Sequence, residues 1–195
     1  MGRTNLKLKK QTEKNIEQAY WKCLEKNASG QTTVKEIMET AGYDRTTFYQ
    51  YFDNISELSE QAENTLLKEL SELTDRIMAA DKVSAQMLEA ILTEYFRCYK
   101  RELTVMLTRK NSPSFMRQFQ EILKPMAYAL PEIPRDDAHI SLICLLVSSS
   151  LMAALEYLCL NEDASPEQTA HLLHSYIHSG VPGLGTFQKN SPEKQ

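Results

Sequence analysis

The chain has 195 residues, 42% of them apolar and 25% charged, ordinary composition for one or two folded domains and far from that of a disordered or fibrous chain. Its net charge of −4 hides an asymmetry: residues 1–55 hold nine Lys/Arg against seven Asp/Glu, a balance of +2, and the remaining 140 residues hold thirteen against nineteen, a balance of −6. So small an excess is no nucleic-acid footprint by itself, but its placement is informative, since Arg3, Lys7, Lys9, Lys10 and Lys14 stand against only Glu13 in the first fourteen residues.

That basic start runs into Gln11, Thr12, Glu13 and Lys14 instead of an apolar stretch, so no secretory signal is expected and a cytoplasmic location is. Cys23, Cys98, Cys144 and Cys159 lie far apart with no C-x-x-C, which makes reduced core residues the expectation and Cys98 the one worth testing for redox sensing.

Ile16, Ala19, Tyr20, Cys23 and Leu24 recur at i, i+3, i+4, i+7 and i+8, the buried stripe of a helix over 10–28, with Trp21 at its edge. The lysines ahead of it read as a solvated, partly frayed terminus or, beside a DNA-binding element, as an arm that touches phosphate. Asn27-Ala28-Ser29-Gly30 has turn composition. Thr33 and Glu36 are spaced as a capping box, and Val34, Ile37, Met38 and Ala41 then give one apolar face of a short helix. Gly42 is placed to close that helix in the left-handed conformation, and Asp44 to cap a second one from Arg45 to Phe52. There Phe48 and Phe52, four apart, can pack on Val34 and Ile37, which leaves Arg45, Thr46, Thr47, Tyr49, Gln50 and Tyr51 for an exposed surface of donors and flat rings.

Asn54 with Glu57 opens a long helix to about Ala80, whose Ile55, Leu58, Ala62, Leu66, Leu70, Leu73 and Ile77 recur at spacings of three and four. A fifth helix over 83–101 has Val83, Met87, Ile91, Leu92, Tyr95, Phe96 and Tyr99 on its apolar side. Asn111-Ser112-Pro113 is a breaker, followed by a helix with Phe115, Met116, Phe119, Ile122 and Leu123 that Pro125 ends or kinks. Leu130-Pro131-Glu132-Ile133-Pro134 is a boundary loop, and Asp136-Asp137 a helix cap. Within 137–160, sixteen uncharged residues run from Ile140 to Leu155, short of the roughly twenty needed to span a bilayer. They predict a helix covered on all sides, which a small body manages best by adding a partner subunit. Ser165-Pro166-Glu167-Gln168 opens the last helix, with Ala170, Leu173, Tyr176 and Ile177 as its apolar face, and Gly180, Pro182, Gly183 and Gly185 end the fold.

No phosphate-binding glycine loop and no G-x-S-x-G nucleophile motif occurs, so no catalytic residues, no enzyme and no cofactor are expected. His171, His174 and His178 follow Glu167 along one helical stripe. Three imidazoles so placed could hold a metal, but the stripe points away from the Leu173–Ile177 face and reads as exposed or interface-rim surface, and no metal is assigned.

Helix, glycine turn, helix is the geometry of a helix-turn-helix unit. The segment 32–58 resembles the DNA-binding signature of the TetR (AcrR-like) family of one-component regulators, through Thr33, Val34, Ile37, Ala41, Gly42, Asp44, Thr47, Phe48, Tyr49, Tyr51, Phe52, Glu57 and Leu58. The resemblance implies an all-α chain: a three-helix DNA-binding head over 1–53, a helical ligand-binding and dimerisation body over 54–183, and a disordered tail over 184–195. It implies a homodimeric repressor on a palindromic double-stranded DNA operator, released by a small molecule. Arg45, Thr46, Thr47 and Gln50 would read base edges, and Thr33, Lys35, Tyr49, Tyr51 and the basic arm would hold phosphate. The sequence departs from the family where Ile55 replaces a usual Lys and Tyr51 a usual His, both phosphate-contacting positions; loss of a cation lowers non-specific affinity and its salt dependence. The alternative on the same fold is a co-regulator working through protein contacts with weak or no DNA binding. Tyr95, Phe96, Tyr99, Phe115 and Phe119 are the candidates to line a cavity for an apolar or aromatic effector, and the two C-terminal helices are the expected dimer contact. No membrane partner is expected.

Overall fold

The computed structural model describes residues 2–27, 31–79, 85–110, 112–125 and 140–184. Among them are eight α-helices and no strand. Contacts divide the chain into two units, one of Met1–Lys68 with Arg101–Ser112 and one of Glu69–Lys100 with Pro113–Gln195.

In the first unit, α1 (Gly2–Lys26) starts at Gly2 and not near residue 10. Lys, Leu and Gln are residues of good helix propensity, and where the extension joins the expected helix Thr12 Oγ1 donates to the Leu8 carbonyl at 3.1 Å. The stripe Ile16, Ala19, Tyr20, Cys23 and Leu24 is buried as the periodicity requires, and Trp21 is buried with it instead of lying at the edge, its ring 5.3 Å from that of Tyr20. Helix α2 (Val34–Ala41) has the full capping box: Thr33 Oγ1 accepts from Glu36 N at 3.2 Å, and Glu36 Oε2 accepts from Thr33 N at 2.8 Å. Gly42 ends it at φ 76, ψ 30, where an L side chain is strained.

The second helix of the motif is shorter than expected. Helix α3 is one turn, Arg45–Phe48, and the chain continues as tight turns, with Gln50 N donating to the Thr47 carbonyl at 3.2 Å and Tyr51 N to the Phe48 carbonyl at 2.9 Å. Thr46 and Thr47 are β-branched and weak helix formers, and Tyr49, at φ −70, ψ −3, closes the helix while still right-handed, its N–H turned to the Thr47 carbonyl. Asp44 makes no side-chain cap; its carbonyl accepts from Thr47 N at 2.9 Å instead. Phe48 and Phe52 are both buried, their rings 5.5 Å apart, so the anchoring role expected of them survives the change of backbone.

Helix α4 (Ile55–Met78) begins where expected, with Asn54 Oδ1 accepting from Glu57 N at 3.0 Å and Glu57 Oε2 from Asp53 N at 2.6 Å. It buries Leu58, Ala62, Leu66, Leu70, Leu73 and Ile77, and also Leu67. Helix α5 (Ala85–Val105) is kinked at Tyr99, φ −121, ψ 16, and passes into a π-helical turn, Met106–Lys110. The boundary between units falls inside α4, and in α5 just after the kink. The end of α5 contributes buried Leu103, Val105 and Met106 to the first unit, where Arg101 Nε pairs with Glu25 Oε2 at 2.9 Å.

The second unit contains α6 (Pro113–Leu123), α7 (Ile140–Leu160) and α8 (Pro166–Leu184). Ser165 Oγ caps α8 by accepting from Gln168 N at 3.2 Å. That helix runs through Gly180 and Pro182 to Leu184 and does not stop at the glycine; a proline there costs a backbone bond without ending the helix. Arg97 of α5 pairs with Glu167 of α8, and Gln120 Nε2 of α6 donates to Ser149 Oγ of α7 at 3.0 Å.

Within the single chain, helix α7 has one buried face and, among the described residues, one exposed apolar face. It buries Ile143, Cys144, Val147, Leu151, Leu155 and Leu158 but leaves Leu142 52%, Tyr157 53% and Leu160 60% exposed, with Leu145 and Leu146 exposed beside them. Among the described residues, α6 and α8 pack against its buried side. At 21 residues it is long and apolar enough to cross a bilayer by length and composition, yet its buried face is that of a core helix. Tyr176 of α8, expected on the apolar inner face, is 65% exposed. The boundary loop at 130–134, the Asp136-Asp137 cap and the tail beyond 184 lie outside the described residues, as do the side chains of Met87, Ile91, Leu92, Ile177 and His178.

Candidate nucleic-acid interface

The short α3 and the turn after it present an exposed array. Arg45, Thr46, Tyr49 and Gln50 are exposed, while Thr47 and Tyr51 are half-buried. The array is ordered by its own contacts. Arg45 lies over the ring of Tyr49, its guanidinium carbon 6.0 Å from the ring centre, and Nη2 donates to the Tyr49 hydroxyl at 3.3 Å. Tyr49 in turn meets Phe48 edge-on at 5.4 Å, so the exposed ring rests on a buried one. On the other flank, Lys9 Nζ stands 5.9 Å from the ring centre of Tyr51. Asn15 Nδ2 donates to the Tyr43 hydroxyl at 2.9 Å, which ties α1 to the turn between α2 and α3.

The other expected phosphate ligands sit at the start of α2. Thr33 is exposed, but its N–H and hydroxyl are both engaged by Glu36, the hydroxyl at 2.9 Å from Oε2. The Thr33 backbone N–H, then the Thr33 and Thr32 hydroxyls, hold the Glu36 carboxyl below the ordinary carboxylate range. Lys35 and Glu39 form an exposed pair at 3.9 Å, too open to immobilise the lysine.

Periodicity gave no sign of an acidic group on the inner side of α1. Glu17 is half-buried, and burial, with smaller contributions from Glu13 and Glu102 set against the Thr65 hydroxyl, raises its carboxyl to about 7. Glu102, near the end of α5, is raised as well, chiefly by burial. Glu13 Oε1 accepts from Gln61 Nε2 at 2.7 Å.

In the second unit, Tyr95, Phe96, Phe115 and Phe119 are buried and Tyr99 is half-buried. Tyr95 lies 4.9 Å from Tyr99 and 6.4 Å from Phe119, which is 5.7 Å from Phe115, so four of the five rings form one cluster; Phe96 carries Lys100 over its face at 5.9 Å. An open cleft of ≈ 760 Å³ between α7 and α8 is lined by residues including Ala153, Tyr157, Thr169, Leu172 and Tyr176, and not by those rings. His171 Nδ1 is 3.5 Å from Glu89 Oε1. Cys98 is exposed, but desolvation and the Glu94 carboxylate it donates to, with Glu69 nearby, raise its thiol above the ordinary value, away from the thiolate that redox chemistry needs.

A capped helix, a left-handed glycine and a short second helix with an exposed Arg–Tyr surface define a helix-turn-helix head. Residues 19–62 match the sequence profile of the bacterial regulatory proteins, tetR family, so the head is similar to the DNA-binding end of that family. None of the curated proteins compared matches the chain in sequence. Among solved structures it is similar to the dihydroxyacetone kinase operon activator DhaS (21% identity over 88% of this chain and 96% of that one, TM-score 0.64). It is similar also to a TetR transcriptional regulator from Streptococcus agalactiae (17%, 91% and 99%, TM-score 0.63). A third is native NalD, the secondary repressor of the MexAB-OprM multidrug efflux pump in Pseudomonas aeruginosa (18%, 88% and 96%, TM-score 0.60). At those identities the likeness speaks to the fold.

Proposed function

We propose that the protein is a homodimeric repressor that binds a palindromic duplex operator and is released by a small molecule. The observation that carries this reading is the exposed array of Arg45, Thr46, Tyr49 and Gln50, with Arg45 already seated on Tyr49. A guanidinium so held presents its fork to a guanine edge with little further ordering, and Thr33, Lys35, Tyr51 and the basic arm supply phosphate contacts. A homodimer is supported by the apolar outer face of α7 and α8, since a two-fold pair of heads needs two half-sites on one face of the DNA. Repression follows from occupying such a site and excluding other proteins from it. An apolar or aromatic effector near Tyr95, Phe96, Tyr99, Phe115 and Phe119 would release it by preferring the DNA-incompetent state, with α4, which contributes residues to both units, as the connection. A cytoplasmic location goes with DNA as the partner in this reading.

The second reading, a co-regulator working through protein contacts, is favoured by one observation. The segment 31–67 holds two cations against seven carboxylates. Binding to a random-sequence labelled duplex at 50 and 200 mM salt separates the two. A regulator of the proposed kind loses affinity steeply over that interval, whereas a protein-contact module shows no binding to lose.

A further inference from the structure

Duplex DNA must be met by positive charge, and the helix-turn-helix itself supplies little. Between residues 31 and 67 the only cations are Lys35 and Arg45, against seven carboxylates from Glu36 to Glu63, a balance of −5. Lys35 is shared with Glu39, and Arg45 lies on Tyr49. The first residues of α4 are no help: Ile55 is half-buried, and Asp53 and Glu57 flank it.

Helix α1 has the opposite balance, seven Lys/Arg against Glu13, Glu17 and Glu25. Each of those carboxylates has a partner within the same unit: Gln61 at 2.7 Å, Thr65 at 3.5 Å and Arg101 at 2.9 Å. Lys7, Lys9, Lys10 and Lys14 are exposed. Because α1 is helical from Gly2, Lys9 is carried on a regular element to the turn after α3, with its ammonium 5.9 Å from the Tyr51 ring centre. A cation on a ring face is held by the quadrupole yet keeps N–H donors for an anion, and the Tyr51 hydroxyl adds another.

We infer that the head draws its phosphate-neutralising charge from α1, and that Lys9, seated on Tyr51, is the cation that contacts the DNA backbone beside the α3 surface. This rests on the DNA-binding reading above and names the residue that makes that reading compatible with an acidic motif. Tyr51 is here a positioning residue for Lys9 as well as a donor.

The test uses the full chain and a fluorescein-labelled random-sequence duplex, titrated at several salt concentrations. Lys9→Ala should lower the slope of log affinity against log salt by about 0.9, which shrinks the affinity ratio between 50 and 200 mM salt by about 3.5-fold. Lys9→Arg should keep the slope. Tyr51→Leu should lose most of what Lys9→Ala loses, and the double variant little more. Thermal unfolding of Lys9→Ala should match that of the parent, since Lys9 is exposed. A salt-dependent parent with an unchanged slope in Lys9→Ala overturns the inference and leaves the proposed function standing; so does a fall in thermal stability with no change in slope, which would make Lys9 a staple for α1. A parent that binds no duplex at any salt overturns both.

Discussion

Arg45 and Tyr49 form an exposed pair on the surface of the head, one helical turn apart, with the guanidinium over the ring and Nη2 donating to the hydroxyl at 3.3 Å. The pair orders a long side chain before any partner arrives. If Arg45 reads a guanine, Arg45→Ala should cost about 1–3 kcal/mol of discrimination between a selected duplex and a shuffled one. Tyr49→Phe keeps the stacking and removes only the hydrogen bond, so its loss should be smaller than that of Tyr49→Ala. Competition titrations with the two duplexes check both.

The turn between α2 and α3 depends on one capping box and one glycine. Thr33→Ala removes the side-chain cap and should cost about 1 kcal/mol of stability. Gly42→Ala adds a Cβ that meets nothing within 4 Å, so its cost is backbone strain at φ 76 alone, about 1–2 kcal/mol. Because the Glu36 carboxyl is held below its ordinary value, the cap's contribution is present above the ordinary carboxylate range and is lost as pH falls through the lowered one. Denaturant curves for parent and Glu36→Gln should therefore converge in strong acid.

Glu17 reverses that sign. Its folded-state value of about 7 lies above the ordinary carboxylate value of 4.5, so over that window the folded chain holds a proton that the unfolded chain has released. Stability should fall as pH rises from about 4.5 to about 7, with the full penalty above 7. Allowing for solvent screening at a half-buried site, Glu17→Gln should stabilise the protein by roughly 1–2 kcal/mol at pH 8 and be neutral at pH 4. Denaturant midpoints measured across that range would show it.

The outer face of α7 and α8 gives a prediction about assembly. Leu172 is 71% exposed and Tyr176 is exposed near it, so neither holds the single chain together. Leu172→Asp with Tyr176→Asp should leave the helical circular dichroism unchanged and convert a dimer to a monomer in sedimentation. A parent that sediments as a monomer would contradict the proposed dimer.

Most features governed by neighbours in sequence were legible in it, the Asp44 cap excepted. The Thr33 box, the left-handed Gly42, the Asn54 cap and the Ser165 cap each need only residues within one turn, and each stands where its spacing requires. The all-α head was legible for the same reason. Helix α3 was not, because Phe48 and Phe52 satisfy a helical spacing whether or not the backbone between them remains α-helical. Nor could the periodicity of α7 separate burial within one chain from burial against another. The Lys9–Tyr51 contact and the burial of Glu17 join residues far apart in sequence, and no local pattern records them.

The most direct measurement is a selection of bound duplexes from a random pool at two salt concentrations, run in parallel with Arg45→Ala. Recovery of a two-fold symmetric site by the parent, weaker at the higher salt and absent with Arg45→Ala, is the expected result. A parent that enriches no sequence, with binding indifferent to salt, would contradict a sequence-specific regulator and point to a protein partner instead.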